Sequence, residues 1–141
     1  MLRLLHMEEL EKLKDDPVRP HIDWMWRITD GREVFVLEDD FNGSVNAIVC
    51  VTYMDEVPTC EQDMLDHLGE SIAVFYTVWS YTKGAGRDII FATQKRIQEQ
   101  RPTVKRFVTL SPLTEMAQKF HIRNGAKFLN KHFDCQNFEY S

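Results

Sequence analysis

The chain has 141 residues, 43% of them apolar and 28% charged, with a formal net charge of −5. That length suits one domain, residues 1–141, with a core of its own, and the composition is that of a globular chain. The acidic balance and the dispersed Lys and Arg residues argue against a nucleic-acid partner, and no stretch nears the roughly 18 apolar residues of a membrane span.

The start, Met1-Leu2-Arg3-Leu4-Leu5-His6, is too short and too soon charged for a signal peptide, so a cytoplasmic location is expected. Leu2, Leu5, Leu10 and Leu13 among outward-facing charges predict a helix over residues 2–14. Asp15-Asp16-Pro17 ends it, because the residue before proline is pushed out of the α region. The aromatic-rich stretch from Pro20 to Trp26 reads as a core-capping segment or short helix. A hairpin follows, Glu33–Leu37 against Val45–Tyr53, with Asp39-Asp40-Phe41-Asn42-Gly43 in the turn and its acidic pair on the surface. Thr59-Cys60-Glu61-Gln62 fits a capping box for a short helix that Gly69 closes.

The run 73–79, Ala-Val-Phe-Tyr-Thr-Val-Trp, is apolar, β-branched and aromatic, as a strand covered on both faces requires. The loop Tyr81-Thr82-Lys83-Gly84-Ala85-Gly86-Arg87 and an amphipathic helix with Ile90, Phe91, Gln94 and Ile97 come next. The N–H groups of Lys83, Gly84, Ala85, Gly86 and Arg87 then stand at the positive end of a helix dipole beside two basic side chains, which suits a pyrophosphate. Glycine at 84 and 86 lets the backbone approach closely. On this reading Gly86→Val weakens binding with little loss of folding. There is no Gly-Lys-Ser/Thr of a Walker loop and no third glycine of a dinucleotide fingerprint.

Val104–Leu110 is the next predicted strand. Ser111 and Pro112 are expected as N-cap and N1 of a helix whose Leu113, Met116, Ala117 and Phe120 face the core, and Asn124-Gly125 is its left-handed cap. Ala126–Tyr140 should close the sheet. Cys50, Cys60 and Cys135 form no ligand or redox spacing and are read as free thiols. The other histidines, at 6, 21, 67 and 132, share no metal-ligand spacing, so no metal is expected. The order of elements predicts a single α/β domain around a mixed sheet.

Strand, xxxGxG loop, helix, strand, and a helix ending Phe120-His121-x-x-x-Gly125 together resemble the GNAT (N-acetyltransferase-like) superfamily, whose members bind the pyrophosphate of acyl-CoA at such a loop. Two positions depart from its pattern: Tyr81 replaces the usual Gln or Arg, and His121 stands where many members have an acidic tyrosine. Ala73–Thr77, Lys83-Gly84, Thr109-Leu110-Ser111-Pro112 and Phe120–Ala126 are closer to the catalytic domain of malonyl-CoA decarboxylase. That likeness covers roughly residues 73–128, lacks the family's long insertion before the histidine, and has the loop's second glycine displaced by one.

The resemblance implies a GNAT-like domain with a central, mixed and mostly antiparallel sheet flanked by helices. It implies acyl-CoA, as acetyl-CoA or malonyl-CoA, bound by Tyr76, Val78, Lys83, Gly84, Ala85, Gly86 and Arg87, with Thr77 and His121 as catalytic residues. Three activities follow from it. Decarboxylation of malonyl-CoA leaves an enolate that needs donors and a proton source. Acetyl transfer to an amine uses His121 at the leaving sulfur and leaves the amine's proton to a carboxylate or water. A non-catalytic acyl-CoA-binding domain is the third. Beside these functional readings, His121 also suits a helix C-terminus, and Thr77 suits a strand by β-propensity alone.

Overall fold

The computed structural model describes all of residues 1–141. One eight-stranded sheet runs through it: β1 (Leu2–Leu4), β2 (Arg32–Glu38), β3 (Val45–Met54), β4 (Ile72–Ser80), β5 (Arg106–Thr109), β6 (Ser111–Pro112), β7 (Lys127–Lys131) and β8 (Cys135–Tyr140). The order is β1-β2-β3-β4-β5-β8-β6, with β7 on the other side of β8. Only β4 and β5 are parallel; every other pairing is antiparallel. The sheet is therefore mixed and mostly antiparallel, as expected, because a hairpin feeds β4 and only α2 (Ala85–Gln100) crosses between parallel neighbours.

Both faces of the sheet are covered. Phe35, Val49, Val51, Ala73 and Phe75 pack against Ile89, Ile90 and Ile97 of α2. Val34, Val36, Ile48, Val74 and Tyr76 pack against Leu13, Ile22 and Met64, the last from α1 (Glu61–Asp66). The unbroken apolar run of β4 has this cause: each alternate residue meets a different core.

Four local expectations are overturned. Residues 2–14 are not one helix. Leu2–Leu4 fill the edge of β2, and a 3-10 segment spans Met7–Asp15. The unpaired edge of β2 offers backbone partners, while the Glu9 carboxylate is drawn to Arg3 at 2.7 Å and to the His6 N–H at 3.0 Å, and helical periodicity loses to these long-range bonds. The cap of α1 also differs: Cys60, not Thr59, is its N-cap, and Asp63, not Gln62, reaches back to accept the Thr59 N–H at 2.9 Å and its hydroxyl at 2.6 Å.

Ser111 and Pro112 do not start a helix. They pair with Cys135 and Gln136 as β6, where proline lacks an N–H that an edge strand does not need, and α3 (Glu115–Arg123) begins after Thr114, whose side chain caps Ala117 N–H at 3.2 Å. Of the residues expected to face the core from α3 and its approach, Phe120 packs against it, while Met116 is 81% exposed and Leu113 40%. The predicted left-handed cap is present, with Gly125 at φ +96°. No helix is long and apolar enough to cross a membrane.

Candidate active site

The site starts from a mismatch between β4 and its neighbours. β4 pairs with β5 only from Ile72 to Phe75; the last bond runs from Leu110 N–H to Phe75 C=O at 3.2 Å, and the chain then leaves to join β8. Tyr76 to Ser80 therefore keep β3 on one side and nothing on the other. On the β3 side the register shifts at Cys50/Val51, leaving Tyr76 unpaired as a bulge. The bulge places Tyr76 and Thr77 consecutively on the face covered by the N-terminal segment.

Beyond the bulge the ladder resumes. Tyr81 N–H donates to Asn46 C=O at 2.8 Å, so Thr77 and Trp79 turn their backbone groups toward β3. By alternation Val78 and Ser80 aim theirs into the open cleft. An extended amide-bearing ligand can bond there as an added strand.

The cleft encloses about 510 Å³. Its walls are Phe75–Ser80, the Leu110-Ser111-Pro112 turn, Met116, Ala117, Phe120 and His121 from around α3, Gly86 of α2, and Pro17 and Val18 of the N-terminal segment. With Thr114, which also lines it, the polar side chains are five hydroxyls, the Trp79 indole N–H and His121; no carboxylate, lysine or arginine lines the cleft.

His121 is buried and lines the cleft, packed face-on against Phe138 at 5.3 Å between ring centres and edge-on to Phe120 at 5.0 Å. Burial alone holds its pKa down at about 4, so it is neutral at pH 7. Its Nδ1 lies 2.7 Å from the Tyr140 hydroxyl. The Asn124 amide bears on that hydroxyl as a donor, and a buried O–H needs an acceptor, so it donates to Nδ1 and the imidazole proton rests on Nε2. Nε2 bonds to no protein group and is the free donor that His121 can offer.

Thr77 shares the cleft with His121, but its hydroxyl proton is already engaged: Oγ1 donates to Asp16 Oδ1 at 2.9 Å. The same Oδ1 accepts Val18 N–H at 2.8 Å and Arg19 N–H at 2.9 Å, while Oδ2 pairs with Arg27 at 2.7 Å. These donors outweigh desolvation and hold the Asp16 carboxyl below its ordinary value, so it stays an ion that only accepts. Toward the cleft, Thr77 can then offer lone pairs only. Arg19 caps the bulge by donating to the Tyr76 carbonyl and pairs with Glu61 at 3.1 Å.

At the loop, Gly84 has φ +83° and nothing would meet a Cβ there, so its glycine serves the backbone turn. Of the five N–H groups expected to face an anion, Ala85 N–H closes a turn onto Thr82 C=O at 3.1 Å and its side chain is buried. The N–H groups of Lys83, Gly84, Gly86 and Arg87 have no backbone partner. Lys83 is exposed, and the Arg87 guanidinium lies 5.3 Å from the centre of the Phe91 ring. A Cβ on Gly86 would come within 3.2 Å of the Phe120 ring, so this glycine also lets α2 seat against the cleft wall.

Sequence reasoning missed Asp16, Arg19, Arg27 and Tyr140. The first was read only as part of a helix stop, yet its side chain and that of Arg27 are both fully buried. A signal was present: two arginines and an aspartate within a stretch rich in aromatic residues must be paired wherever that stretch is buried.

The parted parallel strands, the bulge beside them and the glycine loop at the head of α2 constitute the GNAT fold. Solved structures agree. The chain aligns over 99% of its length with 98% of a ribosomal-protein-alanine N-acetyltransferase from Brucella melitensis, at 13% identity and TM-score 0.67. It aligns over 85% of its length with a malonyl-CoA decarboxylase from Agrobacterium vitis, at 23% identity and TM-score 0.69, and spans 35% of that chain. A second decarboxylase, from Cupriavidus metallidurans, matches at 20% identity and TM-score 0.62 over 33% of its length. The chain thus spans about a third of the decarboxylase structures it matches. No protein-family model matches the sequence, and no curated protein matches it.

Proposed function

We propose that this protein is an acyl-CoA-dependent enzyme of the GNAT fold that decarboxylates malonyl-CoA to acetyl-CoA. The observation that carries this reading is a cleft with one neutral histidine donor and no carboxylate. Pantetheine would pair with Val78 and Ser80, and the pyrophosphate would take the free N–H groups of Lys83, Gly84, Gly86 and Arg87. The thioester then lies beside the bulge, within the part of the cleft that His121 lines. As the bond to the carboxyl carbon breaks, its electron pair moves into the thioester enolate and carbon dioxide leaves. Nε2–H of His121 stabilises the enolate oxygen, and a proton delivered to the α-carbon completes acetyl-CoA. A cleft with apolar walls favours this step, because a carboxylate there loses solvation that carbon dioxide does not need.

Transfer of an acetyl group to an amine is the second reading, and the end-to-end match to N-acetyltransferase structures favours it. It needs a group to take the amine's proton. A histidine held at about pKa 4 serves that purpose poorly, and Asp16, the carboxylate bonded to Thr77, is saturated with donors.

The two are separated by incubating the protein with malonyl-CoA alone, and separately with acetyl-CoA and a panel of amines. Acetyl-CoA formed without an amine, and lost in His121→Ala, supports decarboxylation. Free thiol released only with amines supports transfer. Binding of CoA esters without either reaction leaves a binding domain, and no binding by calorimetry removes all three.

A further inference from the structure

We propose that the acyl end of the cleft is built for an apolar chain longer than acetyl, so that the preferred thioesters carry about three to six acyl carbons, or the corresponding alkyl-substituted malonyl group. The inference rests on the acyl-CoA reading above and concerns what lies past the thioester. Val78 and Ser80 fix where an extended ligand pairs with β4, and His121 marks the reacting carbonyl. The acyl chain is assigned to the walls that Pro17, Val18, Leu110, Pro112 and Met116 contribute to the same cleft.

Three features make that end an acyl compartment. It holds no charge, since no ionised side chain lines the cleft. Two of its hydroxyls are engaged within the protein: Thr77 donates to Asp16 at 2.9 Å, and Ser111 shares a bond of 2.8 Å with Thr109. Its rim is apolar yet open to water, with Met116 81% exposed and Val18 37%. Apolar side chains held in solvent around a concave uncharged mouth gain by covering an apolar ligand, and they give an ammonium or polyamine nothing to bind.

Calorimetry with acetyl-, butyryl- and hexanoyl-CoA tests this without relying on turnover. Each added methylene should lower Kd by about twofold when half buried and about fourfold when fully buried. Hexanoyl-CoA then binds at least about 15-fold more tightly than acetyl-CoA. Met116→Glu, a change at an exposed position that leaves the core intact, should flatten that series. Acetyl-CoA binding with a series that is flat, or that weakens with length, overturns this proposal while the acyl-CoA reading stands. If no ester binds at all, the acyl-CoA reading fails and takes this proposal with it.

Discussion

Asp16→Ala should destabilise the protein by about 3–5 kcal/mol, because it strands the Arg27 guanidinium in a site with no exposure to solvent. Arg27 would keep the carbonyls of Arg19 at 2.6 Å and Ile22 at 3.4 Å, but no counter-charge. The reverse change is milder. After Arg27→Met, Asp16 still accepts from Val18 N–H, Arg19 N–H and Thr77, and a long apolar side chain fills the space. The double variant Asp16→Leu with Arg27→Met should cost less than Asp16→Ala alone. Against a usual domain stability of about 5–15 kcal/mol, the single loss is large enough to read by urea denaturation at neutral pH. The pH dependence has a fixed sign. The folded pKa of Asp16 is depressed, so its contribution is complete above the unfolded value near 4 and is lost as pH falls through the folded value. A loss below about 1 kcal/mol in Asp16→Ala, or equal losses in Asp16→Ala and Arg27→Met, would refute this account of the network.

The His121 pKa is held at about 4, below its ordinary 6.5, so between those values the unfolded chain binds the additional proton and stability rises with pH. His121→Gln should remove a slope approaching 1.4 kcal/mol per pH unit from urea midpoints measured between pH 4.5 and 6; an unchanged slope assigns it elsewhere. Tyr140→Phe removes the donor that keeps the ring proton on Nε2, and should lower kcat about tenfold or more with little change in KM. Gly84→Ala should cost about 1–2 kcal/mol through its left-handed backbone alone, read as a lower Tm. Gly86→Val should reduce folding stability and CoA-ester affinity together, because its Cβ meets Phe120; loss of affinity with unchanged Tm would restore a purely phosphate-facing role.

The architecture was legible where one residue pattern has one structural solution. The doubly covered strand 73–79, the turn at Gly43 and the cap at Gly125 all appear where they were expected. Residues 2–14 were misread because leucine spacing reports an apolar face but not the empty edge of β2 that captures it. Met116 was misread for a related reason, since helical periodicity cannot distinguish a wall packed on core from a wall facing a cleft. Within the site, the loop and His121 stood out by local pattern. The Asp16 bond to Thr77 joins residues 61 positions apart and has no local signature. That bond leaves Thr77 only lone pairs toward the cleft, whereas Nε2–H of His121 stays free of protein partners.

The most direct test of the central claim is to incubate the protein with malonyl-CoA in deuterium oxide, with no amine present, and to weigh the products by mass spectrometry. Decarboxylation through an enolate predicts acetyl-CoA carrying a solvent deuteron on its methyl group, formed by the wild type and not by His121→Ala. Malonyl-CoA recovered unchanged by a protein that binds it, or acetyl-CoA formed equally well by His121→Ala, would contradict the account.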